Sequence, residues 1–314
     1  MKCILCSTNT ETILTDKLRR GEKTKVFHCK HCDLGMLEST QKDYEGYYKT
    51  EYRKEYKPDL NKNTSAEELF HAHVDFQTDR LNLIRPLLNK NVRLLEIGCS
   101  AGQFLYHVSP LVQETVGIEL DAEAAQFASF KTKAKVFSDE LTKTGLEKNS
   151  FDIICAFQVL EHIPDPIQFI ETLKLYLKKN GTIYIEVPNL HDSLVSVYDL
   201  PFHHQFYFHT AHLYYFSKRS LEILLSRTKL SAEFYFTQDY NLLNHIHWLQ
   251  NDQPQTSGKY GLSSPHVPIR KSQDPKIKES IQSYFMNADR EYKKLLCNNG
   301  ISSNISFITI PLVQ

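Results

Sequence analysis

The sequence predicts an α/β fold in which a mostly parallel sheet carries helices on both faces, with a small metal-knit segment at its N-terminus. Three observations predict it. Apolar runs alternate with helix-period segments from about residue 81 onward, the pattern of a doubly wound sheet. The stretch LLEIGCSAGQFL, residues 94–105, is an apolar strand that ends in an acid and turns through small residues into a helix. Four of the seven cysteines fall in two C-x-x-C pairs. With 314 residues, 41% of them hydrophobic, the chain has room for one such core plus smaller appendages. Lys plus Arg and Asp plus Glu are equal at 37 each, so no net field draws the chain to nucleic acid or an anionic membrane. No apolar run reaches bilayer length, and MKCILCSTNT lacks the regions of a signal peptide, so a cytoplasmic location is expected.

At the N-terminus, Cys3 pairs in spacing with Cys6 and Cys29 with Cys32. Each C-x-x-C turn brings two thiolates to one side of a knuckle, and two knuckles complete the tetrahedral shell that Zn²⁺ favours. The 22 residues between the pairs are close to the spacing of zinc ribbons, and disulfides are the poorer explanation in a reducing cytosol. Redox-active or incidental cysteines are the alternative. His28 and His31 are expected to face solvent, and Cys99, Cys155 and Cys297 to be small buried residues. KVFHC and LGMLES read as short strands, giving a ribbon over residues 1–42. A tyrosine-rich connector follows at 43–64, where Tyr44, Tyr47, Tyr48, Tyr52 and Tyr56 offer apolar area with polar tips, either to seal two units together or to cover a cofactor mouth.

From residue 65 to the end the elements follow in order. A helix starts at Ser65, which forms a capping-box pattern with Glu68, and continues through Leu69, Val74, Phe76, Leu81, Ile84 and Leu88, with Pro86 as a late kink. The first strand ends at Glu96; Gly98, Ser100 and Gly102 make the turn, and further helices are expected at 102–111, 122–131 and 166–178. Glu119 ends a second strand, where a carboxylate can accept both hydroxyls of a ribose. A third strand at 135–137 precedes Asp139, and SFDIICAFQVLEHIPDP and GTIYIEVPN supply the fourth and fifth. A helix at 218–228 and strands at 232–238 and 305–313 complete the sheet. Residues 241–303 are too long for a hairpin turn and are expected to hold a loop, then a helix, acting as a lid or a homodimer contact.

The turn admits other readings. Gly98, Ser100 and Gly102 also spell a nucleophile elbow with Ser100 as nucleophile, but hydrolases lay down several strands before that elbow. A dinucleotide fingerprint needs glycine where Ser100 and Gln103 stand. A turn that merely packs a helix on a sheet leaves Glu119 and Asp139 without a purpose.

The ordered series from about residue 81 to 237 resembles class I S-adenosylmethionine-dependent methyltransferases. The resemblance implies a Rossmann-like, seven-stranded sheet and an adenosylmethionine site made by Glu96, Gly98, Ser100, Gly102, Glu119, Asp139 and Gln158, with Asp139 on the adenine amino group. In some members the pair matching Glu161 and His162 lies near bound cofactor or a divalent ion and in most it holds the loop by hydrogen bonds; for His162 the structural role is expected. A sulfonium methyl is already activated, so the missing function is a base. Residues 202–217, FHHQFYFHTAHLYYFS, supply His203, His204, His209 and His212 directly after the fifth strand; His212, His209 and His204 are the candidate catalytic residues. HLYYFS, together with the ribbon and connector, is similar to methyltransferases of nucleotide-linked sugars or surface glycans, which implies a small-molecule sugar acceptor and a place in polysaccharide biosynthesis. In the C-methylating branch a Glu precedes the His; here that position is Ala211, which leaves O-methylation of a glycan hydroxyl open. A zinc-ribbon RNA or DNA base methyltransferase is the second class, opposed by zero net charge and by FQVLEH in place of N/D-P-P-Y/F. A non-catalytic binding module is the third.

Overall fold

The computed structural model describes residues 1–38, 65–271 and 274–310. The tyrosine-rich connector and the end of the last expected strand lie outside the described residues. Three short strands open the chain: β1 Ile13–Thr15, β2 Val26–Cys29 and β3 Leu34–Leu37. The central strands are β4 Arg93–Ile97, β5 Glu114–Ile118, β6 Lys135–Phe137, β7 Phe151–Phe157 and β8 Leu177–Pro188. The last three are β9 Tyr214–Tyr215, β10 Ser231–Thr237 and β11 Asn304–Ile310.

The large sheet has the order β10-β11-β8-β7-β4-β5-β6. β8, β7, β4, β5 and β6 pair in parallel, and β11 runs antiparallel to both its neighbours. This is the expected Rossmann-like sheet. The chain runs outward one way from β4 and the other way from β7, so the carboxyl ends of these two strands bound a crevice. Successive residues of β4 are buried on opposite faces. Leu95 packs with Leu173 and Leu221, from the helices Pro166–Tyr176 and Lys218–Arg227; Leu94 packs with Phe104, Leu105 and Ile84. Burial on both faces is why these strands read as continuous apolar runs.

The capping box at Ser65 forms as expected, with Ser65 Oγ accepting from Glu68 N. The single long helix does not. It divides into Ala66–His73 and Thr78–Ile84, with a tight turn at Val74–Phe76 and another at Arg85–Leu87 around Pro86. The Gln77 side chain donates to the His73 carbonyl at 2.9 Å, taking the acceptor a continuing helix would give to a backbone N–H. The expected insertion carries three helices, Leu242–Asn251, Gly258–Leu262 and Pro275–Asn298; only the last matches the expected helix, and the first two were not anticipated. Among the described residues no helix is long and apolar enough to cross a membrane.

The N-terminal strands form a second sheet, β1-β2-β3-β9, whose fourth strand comes from the histidine-rich segment. Gly35 pairs with Tyr215 and Met36 with Tyr214. Further ties reinforce this seam. Leu37 N donates to Leu213 O at 2.9 Å and Arg19 N to Phe208 O at 2.8 Å. Ser217 Oγ donates to Asp33 O, and Arg227 reaches Leu5 O. Asp33 holds His28 on one carboxylate oxygen and His191 on the other, at 2.8 and 2.6 Å.

Candidate active site

The turn after β4 is built from backbone in the left-handed region: φ is +71° at Gly98, +51° at Ser100 and +85° at Gly102. Gly98 N and Cys99 N both donate to Ile118 O, so the turn is pinned to the end of β5. At Gly98 a Cβ would lie 2.5 Å from Val159 Cγ2, and at Gly102 one would lie 2.9 Å from Thr132 Cγ2 and 3.0 Å from Ala128 Cβ. Glycine at these positions is therefore a packing requirement as well as a conformational one. Ser100 carries the third left-handed position without glycine, and its N–H donates to Glu119 Oε2 at 2.8 Å. The other oxygen of Glu119 accepts from Asp121 N at 2.9 Å. Each carboxylate oxygen has two lone pairs, so Glu119 is oriented by the turn and retains acceptor capacity for a ligand hydroxyl.

One cavity of about 1680 Å³ opens over the crevice. Of the residues expected to touch a cofactor, Glu96, Gly98, Ser100, Glu119 and Gln158 line it. Gly102 sits behind the turn as the residue that begins the helix Gln103–Val108. Asp139 is exposed, and its neighbours Glu140 and Leu141 are the residues of that loop on the cavity wall. Glu96 is buried, and its Oε2 has no hydrogen-bond partner among the described residues. Burial pushes its carboxyl up to about 8, against the pull of Arg80. Gln158, held at φ +56°, turns its side chain to Glu186 Oε1 and Asn304 Oδ1 at 3.2 and 3.1 Å.

Glu186 is the centre of a buried network that sequence reading missed. Arg80, from the helix Thr78–Ile84, places two guanidinium nitrogens on Glu186 Oε1 at 2.5 and 2.9 Å and lies 4.7 Å over the Phe157 ring. The two residues are 106 positions apart, and neither carries a local motif.

The histidine-rich segment forms the opposite wall. His209 and His212 line the cavity with ring centroids 3.9 Å apart. His204 is half-buried against Phe208 and is not among the cavity-lining residues, whereas His203 is, edge-on to Trp248 at 4.6 Å. Burial holds the imidazoles of His209 and His212 well below their usual pKa, so both are neutral. Glu161 Oε1 lies 3.9 Å from His212 Nε2 and 3.8 Å from His162 Nε2. A carboxylate thus stands beside His212 even though Ala211 occupies the position before it; it arrives from the turn after β7. That turn is stitched to the histidine segment twice, by Leu213 N donating to Glu161 O and by His162 Nδ1–H donating to Ala211 O, both at 2.8 Å. From the ribbon, Arg19 and Arg20 reach the same cavity, and from the insertion come Trp248, Gln255 and Lys259.

The four N-terminal cysteines converge, with Sγ–Sγ distances of 3.4 Å for Cys3–Cys32 and 3.5 Å for Cys6–Cys29. A tetrahedron of Zn–S bonds of about 2.3 Å has edges of about 3.8 Å, so the cluster is close to a closed structural site. His31 is exposed, and His28 is committed to Asp33. Cys99 and Cys155 are buried in the core and Cys297 is half-buried.

Residues 68–231 match the family described as Methyltransferase domain. Among curated proteins, the chain is 34% identical over 112 residues to a ubiquinone biosynthesis O-methyltransferase of Pelagibacter ubique, covering 33% of this chain and 45% of that protein. It is 31% identical over 103 residues to the protein of the same name from Paraburkholderia phymatum, covering 31% and 44%. The chain thus spans less than half the length of these curated relatives. Among solved structures, a SAM-dependent methyltransferase from Archaeoglobus fulgidus shares the fold with a TM-score of 0.50 at 17% identity, covering 78% of this chain and 97% of that one. The glycine turn, the sheet order and a family match over more than half of the sequence agree: this chain belongs to the methyltransferase-domain family.

Proposed function

We propose that this protein transfers the methyl group of S-adenosylmethionine to a hydroxyl oxygen of a small-molecule acceptor. The observation that carries the reading is that one cavity joins the Gly98–Glu119 cradle to a wall of buried, neutral histidines. The residues fit the cofactor: Gly98 leaves room that a Cβ would fill, and the partnerless Glu96 oxygen belongs to a buried carboxyl whose ionised form a cationic ligand would favour. Bound there, adenosylmethionine supplies a sulfonium-activated methyl carbon. Gly98, Ser100 and Gly102 shape its seat, Glu119 accepts the ribose hydroxyls, and Glu96 faces its positive end.

His212 and His209, held neutral by burial, accept the proton that leaves the acceptor oxygen. Glu161 beside His212, a carboxyl whose ionised form is favoured once a positive charge stands next to it, stabilises the imidazolium that results. Trp248, Gln255 and Lys259 make the insertion a cover over the acceptor end, excluding water from the transfer. The cysteine cluster binds a structural zinc ion that fixes the ribbon against β9.

For the acceptor we favour a sugar or glycan hydroxyl, on the HLYYFS segment and the ribbon. The similarity to ubiquinone biosynthesis O-methyltransferases supports a second arm, a hydroxylated quinol head group. The test is incubation with labelled adenosylmethionine and a panel of nucleotide sugars and catechol-type quinols, with mass analysis of products. Label in a sugar hydroxyl is expected; label in the quinol alone moves the acceptor to the second class, and failure of adenosylmethionine to bind overturns the reading.

A further inference from the structure

His209 lies between the helix Pro201–Tyr207 and β9, outside any strand or helix, and is only 6% exposed. Its buried backbone groups must find partners outside a regular ladder. One side chain serves both: the Tyr215 hydroxyl accepts from His209 N at 2.8 Å and donates to His209 O at 2.9 Å. A hydroxyl has a single proton to give, and this one goes to His209. The same carbonyl accepts from His212 N at 3.3 Å, which ties the backbones of the two histidines together. Tyr215 is itself 1% exposed, with its ring centroid 4.7 Å from that of Phe208 and 5.6 Å from that of His212.

The ribbon holds the other side of Tyr215. Gly35 pairs with it across the seam, and a Cβ on Gly35 would lie 2.9 Å from Tyr215 Cβ and 3.5 Å from Leu14 Cδ2. Gly35 is not in the left-handed region, so glycine there serves the close approach alone. Leu18, Val26 and Leu37 of the ribbon share one apolar cluster with Phe208, Leu213 and Tyr215. The surface that seats the ribbon is thus the surface that seats the clasp on His209.

We propose that Tyr215 is a positioning residue for the proton acceptor: seated by Gly35 of the ribbon, its hydroxyl fixes the His209 backbone and so sets that imidazole against His212 at the acceptor end of the cavity. This rests on the methyl-transfer reading above for the proton that His209 takes. The two imidazole centroids are 3.9 Å apart, so a small backbone shift changes what the pair can reach. A misplacement of about 1 Å can cost on the order of a hundredfold in rate. The ribbon therefore acts on the chemistry through one hydroxyl.

The experiment uses zinc-loaded, full-length protein whose histidines carry carbon-13 at Cε1, the His209 resonance being the one lost in His209→Gln. Around that imidazole stand His212, His162, Arg19 and Arg20, and beside His212 stands Glu161; burial first, then Arg19, His162 and Arg20, oppose protonation of His209. Tyr215→Phe removes the clasp and keeps the ring. It should broaden the His209 resonance and raise its titration midpoint towards the ordinary 6.5, because a loosened ring meets water. With labelled adenosylmethionine and the panel of nucleotide sugars and catechol-type quinols, kcat should fall by about tenfold or more while KM for adenosylmethionine holds. Gly35→Ala keeps the hydroxyl but presses on it from the ribbon, and should act in the same direction. Tyr207→Phe deletes a neighbouring buried hydroxyl that donates to Asn189 O, and should leave the His209 resonance in place. A resonance and kcat unmoved in Tyr215→Phe, or moved equally in Tyr207→Phe, would overturn the proposal; if Tyr215→Phe lacks native circular dichroism, Gly35→Ala decides it on the same readouts. The two readings fail separately. Wild-type protein that binds no adenosylmethionine but whose His209 resonance responds to Tyr215→Phe loses the transferase and keeps the clasp, whereas full turnover with an unmoved resonance does the reverse.

Discussion

Gly98 is the residue on which the proposed cofactor seat turns. Replacing it by alanine sets a methyl carbon 2.5 Å from Val159 Cγ2, an overpacking cost of about 1–3 kcal/mol. Gly98→Arg fills the crevice outright, and calorimetry is expected to show no binding of adenosylmethionine by a variant whose circular dichroism is native. Glu161 makes a different prediction. Burial raises its carboxyl from an ordinary 4.5 to about 8, so between those values the unfolded chain holds fewer protons there than the folded one. Stability from this group is therefore full below about 4.5 and declines as pH rises towards 8. Glu161→Gln should raise the thermal midpoint at pH 8 and change it little at pH 5; an equal effect at both would show that the carboxyl does not titrate in this window. Cys3, Cys6, Cys29, Cys32, Gly98 and Glu119 were legible in the sequence because each belongs to a short motif whose spacing reports its own geometry. Glu161 beside His212 was not, nor was Arg80 on Glu186, because only the folded sheet brings those pairs together.

Among the described strands, β9 is the shortest. It is two residues long, too short for any periodicity to announce it, yet it joins the ribbon to the histidine wall. Loss of the proposed zinc from the cysteines should therefore be felt at the cavity. Cys29→Ser, or chelation of zinc, is expected to raise amide exchange by at least about tenfold at residues 34–37 and 213–216, with the central strands unaffected. Exchange confined to residues 1–33 would mean the seam is independent of the metal. The opposite case is the helix Ala66–His73, whose Ser65 cap was plain from sequence. What followed it was not, since apolar spacing alone cannot show that Gln77 takes the His73 carbonyl and turns the chain. The break directs Arg80 over Phe157 and onto Glu186.

At the scale of the whole molecule, the central strands of the large sheet are buried on both faces, and this pattern of long apolar runs is what made that sheet legible. The cavity was less so, because its walls come from the ribbon, two strand ends, the histidine segment and the insertion at once. The Arg80–Glu186 pair sits at the junction of these parts, with Glu186 only 3% exposed. Arg80→Met should cost about 3–5 kcal/mol in urea unfolding, since it strands a buried carboxylate. The double variant Arg80→Met with Glu186→Leu should recover most of that loss; failure to recover would mark the arginine as a packing residue and not an ion-pair partner.

The pairing of Gly35 with Tyr215 also has a bearing on how the chain is made. The cysteine knuckles leave the ribosome before the tyrosine strand does, and the outer edge of β3 stays open until that strand has been translated. For that interval the nascent chain presents unpaired backbone groups, a template for mispairing with neighbours. Early capture of metal would keep that edge folded and orderly while it waits.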